Sequence, residues 1–193
     1  MVKRIVLLVV LALALPLAAF ASSSIDIANA GGVVSGNSSG LSLTGSTLFK
    51  YGGIVGLNLG SVTFTTGAFT SGDAQTGGTL APGGNFQIVG NGTSGVPNGV
   101  IFSGTFSSGT WDLVTLANGT HDYILTGGLV SPSGQVGATI QLTVNTGKGF
   151  FSGTANLSSG DTNLVVPEPG TLSLFGTGLI GLAGILRYKL KLA

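Results

Sequence analysis

The sequence predicts an all-β protein, a single antiparallel β-sandwich or open barrel flanked by an N-terminal signal peptide and a C-terminal transmembrane helix. Three observations carry this reading. Apolar and polar residues alternate in the body, most cleanly where Val136, Ala138, Ile140, Leu142 and Val144 interleave with Gly137, Thr139, Gln141 and Thr143, the period of a half-buried strand. Of the 35 Gly, 30 fall in the body and cut it into short runs separated by turn-forming pairs. The third is an uninterrupted apolar segment near each end of the chain, each with basic residues on one flank.

Residues 1–21 place Lys3 and Arg4 before an apolar run from Ile5 to Leu15, followed by Pro16 and Ala18-Ala19-Phe20-Ala21. That order reads as a secretory signal peptide. At about 1.5 Å per residue the run spans about half of a ~30 Å hydrocarbon core, so it enters the translocon but anchors poorly. Ala19 and Ala21 put small side chains three and one residues before the cut made by signal peptidase, which sets the new N-terminus at Ser22.

Residues 22–165 form the Gly/Ser/Thr-rich β domain, enough chain for one core without disulfides. Besides the run at 136–144, short β patterns occupy residues 41–49, 61–66, 85–89, 100–106, 110–116, 122–129 and 150–157. Asn91-Gly92, Asn98-Gly99 and Asn118-Gly119 suit tight hairpin turns. Eight or so strands at this spacing indicate a sandwich or barrel. Phe102-Ser103-Gly104-Thr105 and Phe151-Ser152-Gly153-Thr154 echo each other, which reads equally as a hairpin unit used twice and as chance in so biased a composition.

Residues 166–193 begin with Val166-Pro167-Glu168-Pro169-Gly170, continue through an apolar segment from Thr171 to Leu186, and end with Arg187, Lys189 and Lys191 among the last residues. The apolar part gives about 24 Å of helix, and about 30 Å counted from Pro169 to Tyr188, enough to span once with Arg187 snorkelling. Cations on the inner flanks of both end segments place the body outside the cytoplasmic membrane. Pro167 and Pro169 hold Glu168 extended, the form in which a processing enzyme accepts a backbone. This Pro-Glu-Pro, short apolar helix and Arg-led tail resembles the PEP-CTERM sorting signal of Gram-negative bacteria. The resemblance covers about 28 residues. It implies recognition of Pro167, Glu168 and Pro169 by exosortase, a membrane-embedded cysteine-dependent protease or transpeptidase, with Arg187 as the stop. Gly176-Thr177-Gly178-Leu179-Ile180-Gly181 matches a dinucleotide fingerprint only by coincidence, because no acid follows to hold a ribose. Its small residues instead suit close approach of another helix.

Composition excludes several functions. A net charge of +1 offers nucleic acid no cationic field. The absence of Cys and a single His, His121, leave no cysteine nucleophile and no multi-His metal site, and no cofactor is expected. Gly36-Asn37-Ser38-Ser39-Gly40 satisfies G-x-S-x-G without a strand-to-helix elbow. His121 lies beside Asp122 with Asp112 nearby, but an exposed turn histidine after Asn118-Gly119 is the simpler reading. The five Asp are scattered singly, with no calcium loop. Trp111 and Tyr123, with Tyr51, form either a stacking platform for glycan or strand packing. Asn37, Asn91, Asn118 and Asn156 each open an N-x-S/T triplet, read as turn residues.

The expected function is therefore that of an exported cell-surface or extracellular-matrix protein, not an enzyme. It is anchored in the envelope by its C-terminal helix until processed, then left at the surface or released. By resemblance it accompanies exopolysaccharide or biofilm, with self-association as a further expectation from its weakly charged β surface. The alternatives are a secreted hydrolase of polysaccharide or peptide and a discrete carbohydrate-binding module. Loss of both end segments leaves Lys50 and Lys148 against five Asp, a net charge of −3.

Overall fold

The computed structural model describes residues 23–132 and 137–166. The expected signal peptide with Ala19, Ala21 and Ser22, the tripeptide Pro167 to Pro169, the apolar segment 171–186 expected to form a helix, and Arg187, Lys189 and Lys191 lie outside the described residues. The described residues contain β1 (Ser23–Ala30), β2 (Val33–Asn37), β3 (Gly40–Tyr51), β4 (Ile54–Thr66), β5 (Phe69–Asp73), β6 (Gly77–Leu80), β7 (Gly83–Asn91), β8 (Asn98–Thr115), β9 (His121–Val130), β10 (Gly137–Asn145), β11 (Thr154–Asn156) and β12 (Ser159–Val166). Ser24–Val165 form one compact unit.

All-β is correct, but the sheet is a closed barrel, neither a sandwich nor open. Eight strands run in the order β1, β12, β10, β9, β8, β7, β4, β3, and β1 pairs with β3 to complete the ring. Closure removes the sheet edges that an open form would leave unpaired. The two strands that make it, β1 and β12, are absent from the sequence-based strand assignment. β2 and β11 continue beyond the ring along β3, and the β5–β6 hairpin pairs with the lower part of β8.

The expected alternation is realised in β10 from Ala138 to Val144, while Val136 lies outside the described residues. Ala138, Ile140, Leu142 and Val144 are buried while Thr139 and Gln141 are exposed. Phe64, Phe86, Phe102 and Phe106 fill the middle of the barrel with ring centroids 5.7 to 6.3 Å apart, mostly edge to face. The outer wall is hydroxylic, with Ser61, Thr63 and Thr65 along β4. An apolar core inside and polar wall outside is the reverse of a transmembrane barrel.

The runs at 100–106 and 110–116 join as the single strand β8. A bulge between Phe106 and Ser108 in its pairing with β9 absorbs the Ser-Gly interval. Asn98-Gly99 is not a turn but the paired start of β8, opposite Asn91 and Gly90. Asn91-Gly92 and Asn118-Gly119 do fall where the chain reverses, but in connections of residues 92–97 and 116–120 and not in tight two-residue turns. Each Asn side chain accepts hydrogen bonds from the amide and hydroxyl of the Thr two residues on, at 3.0 and 2.6 Å for Thr93 and 3.0 and 2.7 Å for Thr120. The Phe-Ser-Gly-Thr echo is no structural repeat: Phe102 to Thr105 are mid-β8, whereas 151–153 form a loop before β11.

At the corner between β1 and β2, Gly32 has φ +80°, and a Cβ there would meet Thr44 O and Ser46 N at 2.5 Å. Only glycine lets one chain pass from β1 to β2 while still hugging β3. Across from it the chain passes from β11 to β12, with Leu157 N bonded to Gly32 O at 3.1 Å. Carrying the β2–β11 register along these two chains puts Gly160 beside Asn29, as their packing shows, and brings Ser23 level with Val166. Both ends of the barrel chain therefore leave at one rim, which also carries the β3–β4 turn, the β7–β8 loop and the β9–β10 connection. The opposite rim carries the β2–β3 turn, the β5–β6 turn, the β8–β9 loop and the segment leading to β11.

Candidate functional site

The rim far from the chain ends holds an open cleft of about 450 Å³, bounded by Asn37 and Ser38 of the β2–β3 turn, Asp73 and Gln75 of the β5–β6 turn, and Ser152 and Gly153 before β11. The G-x-S-x-G segment supplies one wall as a two-residue hairpin turn, with Asn37 paired to Gly40 and its side chain accepting the Ser39 amide at 2.7 Å. No nucleophile elbow exists there. Asp73 shapes the second wall by accepting the amides of Gln75 at 2.8 Å and Thr76 at 2.7 Å and the Thr76 hydroxyl at 2.8 Å. The bonds from Thr76 and Gln75 hold its carboxyl below the usual carboxylate range. The Asp73-Ala74-Gln75-Thr76 turn escaped the sequence reading, although an Asp two and three residues before its donors is a recognisable turn signal.

Trp111 and Tyr123 lie beneath this cleft, not on a platform. Both are 0% exposed, stacked at 5.3 Å, with Phe151 edge-on to Trp111 at 5.7 Å. Stacking on a sugar needs an exposed ring face, and neither ring has one, so the glycan assignment of Trp111 and Tyr123 gives way to packing. Their polar atoms serve the rim. Trp111 Nε1 donates to Ala74 O at 2.9 Å, Tyr123 Oη donates to Gln75 O at 2.6 Å, and Phe151 N donates to Tyr123 Oη at 3.1 Å. One hydroxyl thus ties the β5–β6 turn to the segment before β11.

His121 is not the exposed turn histidine expected. It opens β9 with 8% exposure, lies flat against Phe150 at 4.4 Å, and a hydrogen bond of 3.0 Å joins its Nδ1 to Thr115 Oγ1. Residues paired across β8 and β9 are Thr115 with His121 and Val114 with Asp122. Strand alternation sends Asp122 to the other face, where it accepts Asn145 Nδ2 at 2.6 Å, and Asp112 accepts the Thr110 hydroxyl at 3.0 Å. Neither acid orients the imidazole, as a triad requires.

A third cluster crosses β3, β1 and β12. Lys50 pairs with Asp26 at 2.5 Å, side chains 36% and 42% exposed, and Asp161 stands beside Asp26. The hydrogen bond from Lys50 lowers the Asp26 carboxyl below its ordinary value. Partial burial, with Asp26 next to it, raises that of Asp161. Such a shared cation at partly exposed strands staples strands more than it makes chemistry.

Residues 165–187 match the PEP-CTERM protein-sorting motif. No curated protein and no solved structure matches the chain. The match bears out the resemblance read from Pro167-Glu168-Pro169 and Arg187. It implies an exported protein, processed at the envelope by an exosortase-type enzyme on its way to the cell surface. It begins at Val165, inside β12.

Proposed function

We propose that the mature barrel is a non-catalytic component of the cell surface or extracellular matrix, associated with exopolysaccharide, as in a biofilm, or with further copies of itself. The observation that carries this reading is the abutment of sorting motif and barrel. The motif starts within the last strand, so the folded body is the cargo and little chain lies between them. The wall of Ser, Thr, Asn and Gln offers many neutral donors and acceptors to glycan hydroxyls, and its low charge repels neighbouring copies weakly. The only histidine is spent on Thr115 and Phe150, which leaves the non-enzymatic reading the stronger.

The test is retention of the purified mature protein on extracted exopolysaccharide. Binding to the polymer, or concentration-dependent self-association, is expected; neither occurring overturns the reading. Sorting itself is read by intact mass. Surface material lacks the tail, and replacing Pro167, Glu168 and Pro169 by Ala leaves protein that still ends at Ala193.

A discrete carbohydrate-binding module is the second reading, favoured by the far-rim cleft. Ser38→Ala with Gln75→Ala would then lower glycan retention severalfold without moving the thermal midpoint, since both residues are exposed.

A further inference from the structure

The barrel is chemically lopsided along its axis. The rim where both chain ends leave is apolar: Leu57 is 99% exposed, Val55 73% and Val100 58%, with Val130 and Val165 nearby. Ile25, Tyr51, Ile54 and Ile101 lie half-buried at the same end. Its connections are also free of charge, since no Asp, Glu, Lys or Arg occurs from Tyr51 to Gly72, from Ala74 to Trp111 or from Tyr123 to Gly147. The nearest ionisable groups, Asp26, Asp161 and Lys50, lie together on the wall formed by β1, β12 and β3, where the two carboxyl groups share one cation. The far rim also exposes Val114, Leu116 and Phe150, less fully than Leu57 and Val55, but sets them among Asp73, Asp112, Asp122 and Lys148.

An uncharged rim loses little when water leaves it, whereas the acidic rim would have to desolvate carboxylates. Three prominent aliphatic side chains crowned by such a rim are a feature of surfaces that meet an apolar partner. What that partner is follows from where the chain goes. The sequence leaving Val166 reaches the apolar segment 171–186 within five residues, a stretch able to cross a bilayer.

We propose that, before tail removal, the rim bearing Val55, Leu57 and Val100 rests on the outer surface of the cytoplasmic membrane, directing the far-rim cleft away from it. The occupant is a phospholipid surface, and the inference rests on the export reading above. Short tethering brings the rim to the headgroup region, the aliphatic side chains gain by partial insertion, and the acidic rim is repelled by anionic headgroups. Removal of the tail then leaves only a small apolar area holding the barrel, so the mature protein releases.

The chain has no Cys, which makes single-site labelling direct. The unprocessed chain carrying Leu57→Cys or, at the far rim, Ser38→Cys is labelled with an environment-sensitive fluorophore. It is then reconstituted into phosphatidylethanolamine–phosphatidylglycerol vesicles containing spin-labelled lipid. Both positions are exposed, so neither substitution disturbs the fold. The expected result is flotation of both proteins with the vesicles and severalfold stronger quenching at position 57 than at 38. Flotation with equal quenching overturns the docking and leaves the export reading standing. Failure to float overturns both. Disulfide-linked dimers of the unlabelled Leu57→Cys protein, with no lipid quenching, overturn the lipid assignment in favour of a second copy.

Discussion

Tyr123→Phe tests whether the cleft is held by the core beneath it. The ring stays, so its stacking on Trp111 at 5.3 Å and its contact with Phe151 at 5.8 Å persist and no cavity opens. What disappears is one hydroxyl with two hydrogen bonds. Gln75 is exposed, so its carbonyl finds water and that bond costs about 0.5–1.5 kcal/mol. Phe151 is 1% exposed, so its amide is left as a buried orphan at about 1–3 kcal/mol. The loss is then about 1.5–4 kcal/mol, or roughly 5–12 °C at about 3 °C per kcal/mol for a chain of this size. Urea unfolding of the mature protein, followed by the fluorescence of its single tryptophan and by far-UV circular dichroism, measures it directly. An unchanged midpoint with an unchanged slope would refute the claim that Tyr123 clasps the β5–β6 turn to the segment before β11.

Three further outcomes follow from the barrel wall. Asp161 has a raised carboxyl pKa in the folded state, so its contribution is a penalty, fully present above the folded value and gone below the unfolded one. Asp161→Asn accordingly stabilises the protein at neutral pH, and the gain fades as pH falls into the carboxylate range. Asp26 is lowered, so its stabilisation is lost as pH falls through its folded value, and Asp26→Asn weakens the protein at neutral pH. Gly60 has φ +151°, and a Cβ there would strike Val89 O of β7. Gly60→Ala is expected to cost more than about 1 kcal/mol in thermal unfolding, since neither the backbone angle nor the carbonyl can yield without disturbing the β4–β7 ladder.

Much of the wall was legible because alternation reports burial directly. β9 and β10 follow it residue by residue, from Tyr123, Leu125 and Leu129 to Ala138, Ile140, Leu142 and Val144. Trp111 shows where that signal ends. Phe102, Gly104 and Phe106 face inward at even positions, and then the bulge before Ser108 changes the phase, so that Gly109 and Trp111 face inward at odd ones. Counting on from Phe106 puts Trp111 outside, because one extra residue exchanges the two faces. β5 and β6 carry almost no apolar alternation. They are held by hydroxyl contacts of Thr70 and Ser71 with Thr79 at 2.7 and 2.8 Å and by the Asp73 turn. β1 and β12 escaped for a related reason, since inward positions on them are filled by Asn29, Gly160 and Thr162. The sorting motif, in contrast, is a linear pattern of residues, and so is visible without any fold.

Those inward polar residues make the closing seam the least satisfied part of the wall. Asn29 donates to Ser46 Oγ at 2.7 Å, but its Oδ1, like Thr162 Oγ1, has no partner among the described residues. Thr162 is 0% exposed and stands opposite Ile140. Replacing a buried, unpartnered hydroxyl by a methyl of similar shape removes a desolvation cost, so Thr162→Val is expected to raise the unfolding free energy by about 1 kcal/mol. The same strand leads straight into Pro167-Glu168-Pro169, and a protease that takes extended backbone needs a few residues free of the sheet on either side of its target. A seam that opens readily supplies them. Thr162→Val should therefore also slow conversion of precursor to tail-less protein in cells, measured as the ratio of the two masses after a pulse of synthesis. A variant that is more stable yet processed at the original rate would show that the enzyme works entirely beyond Val166, on chain the barrel never holds.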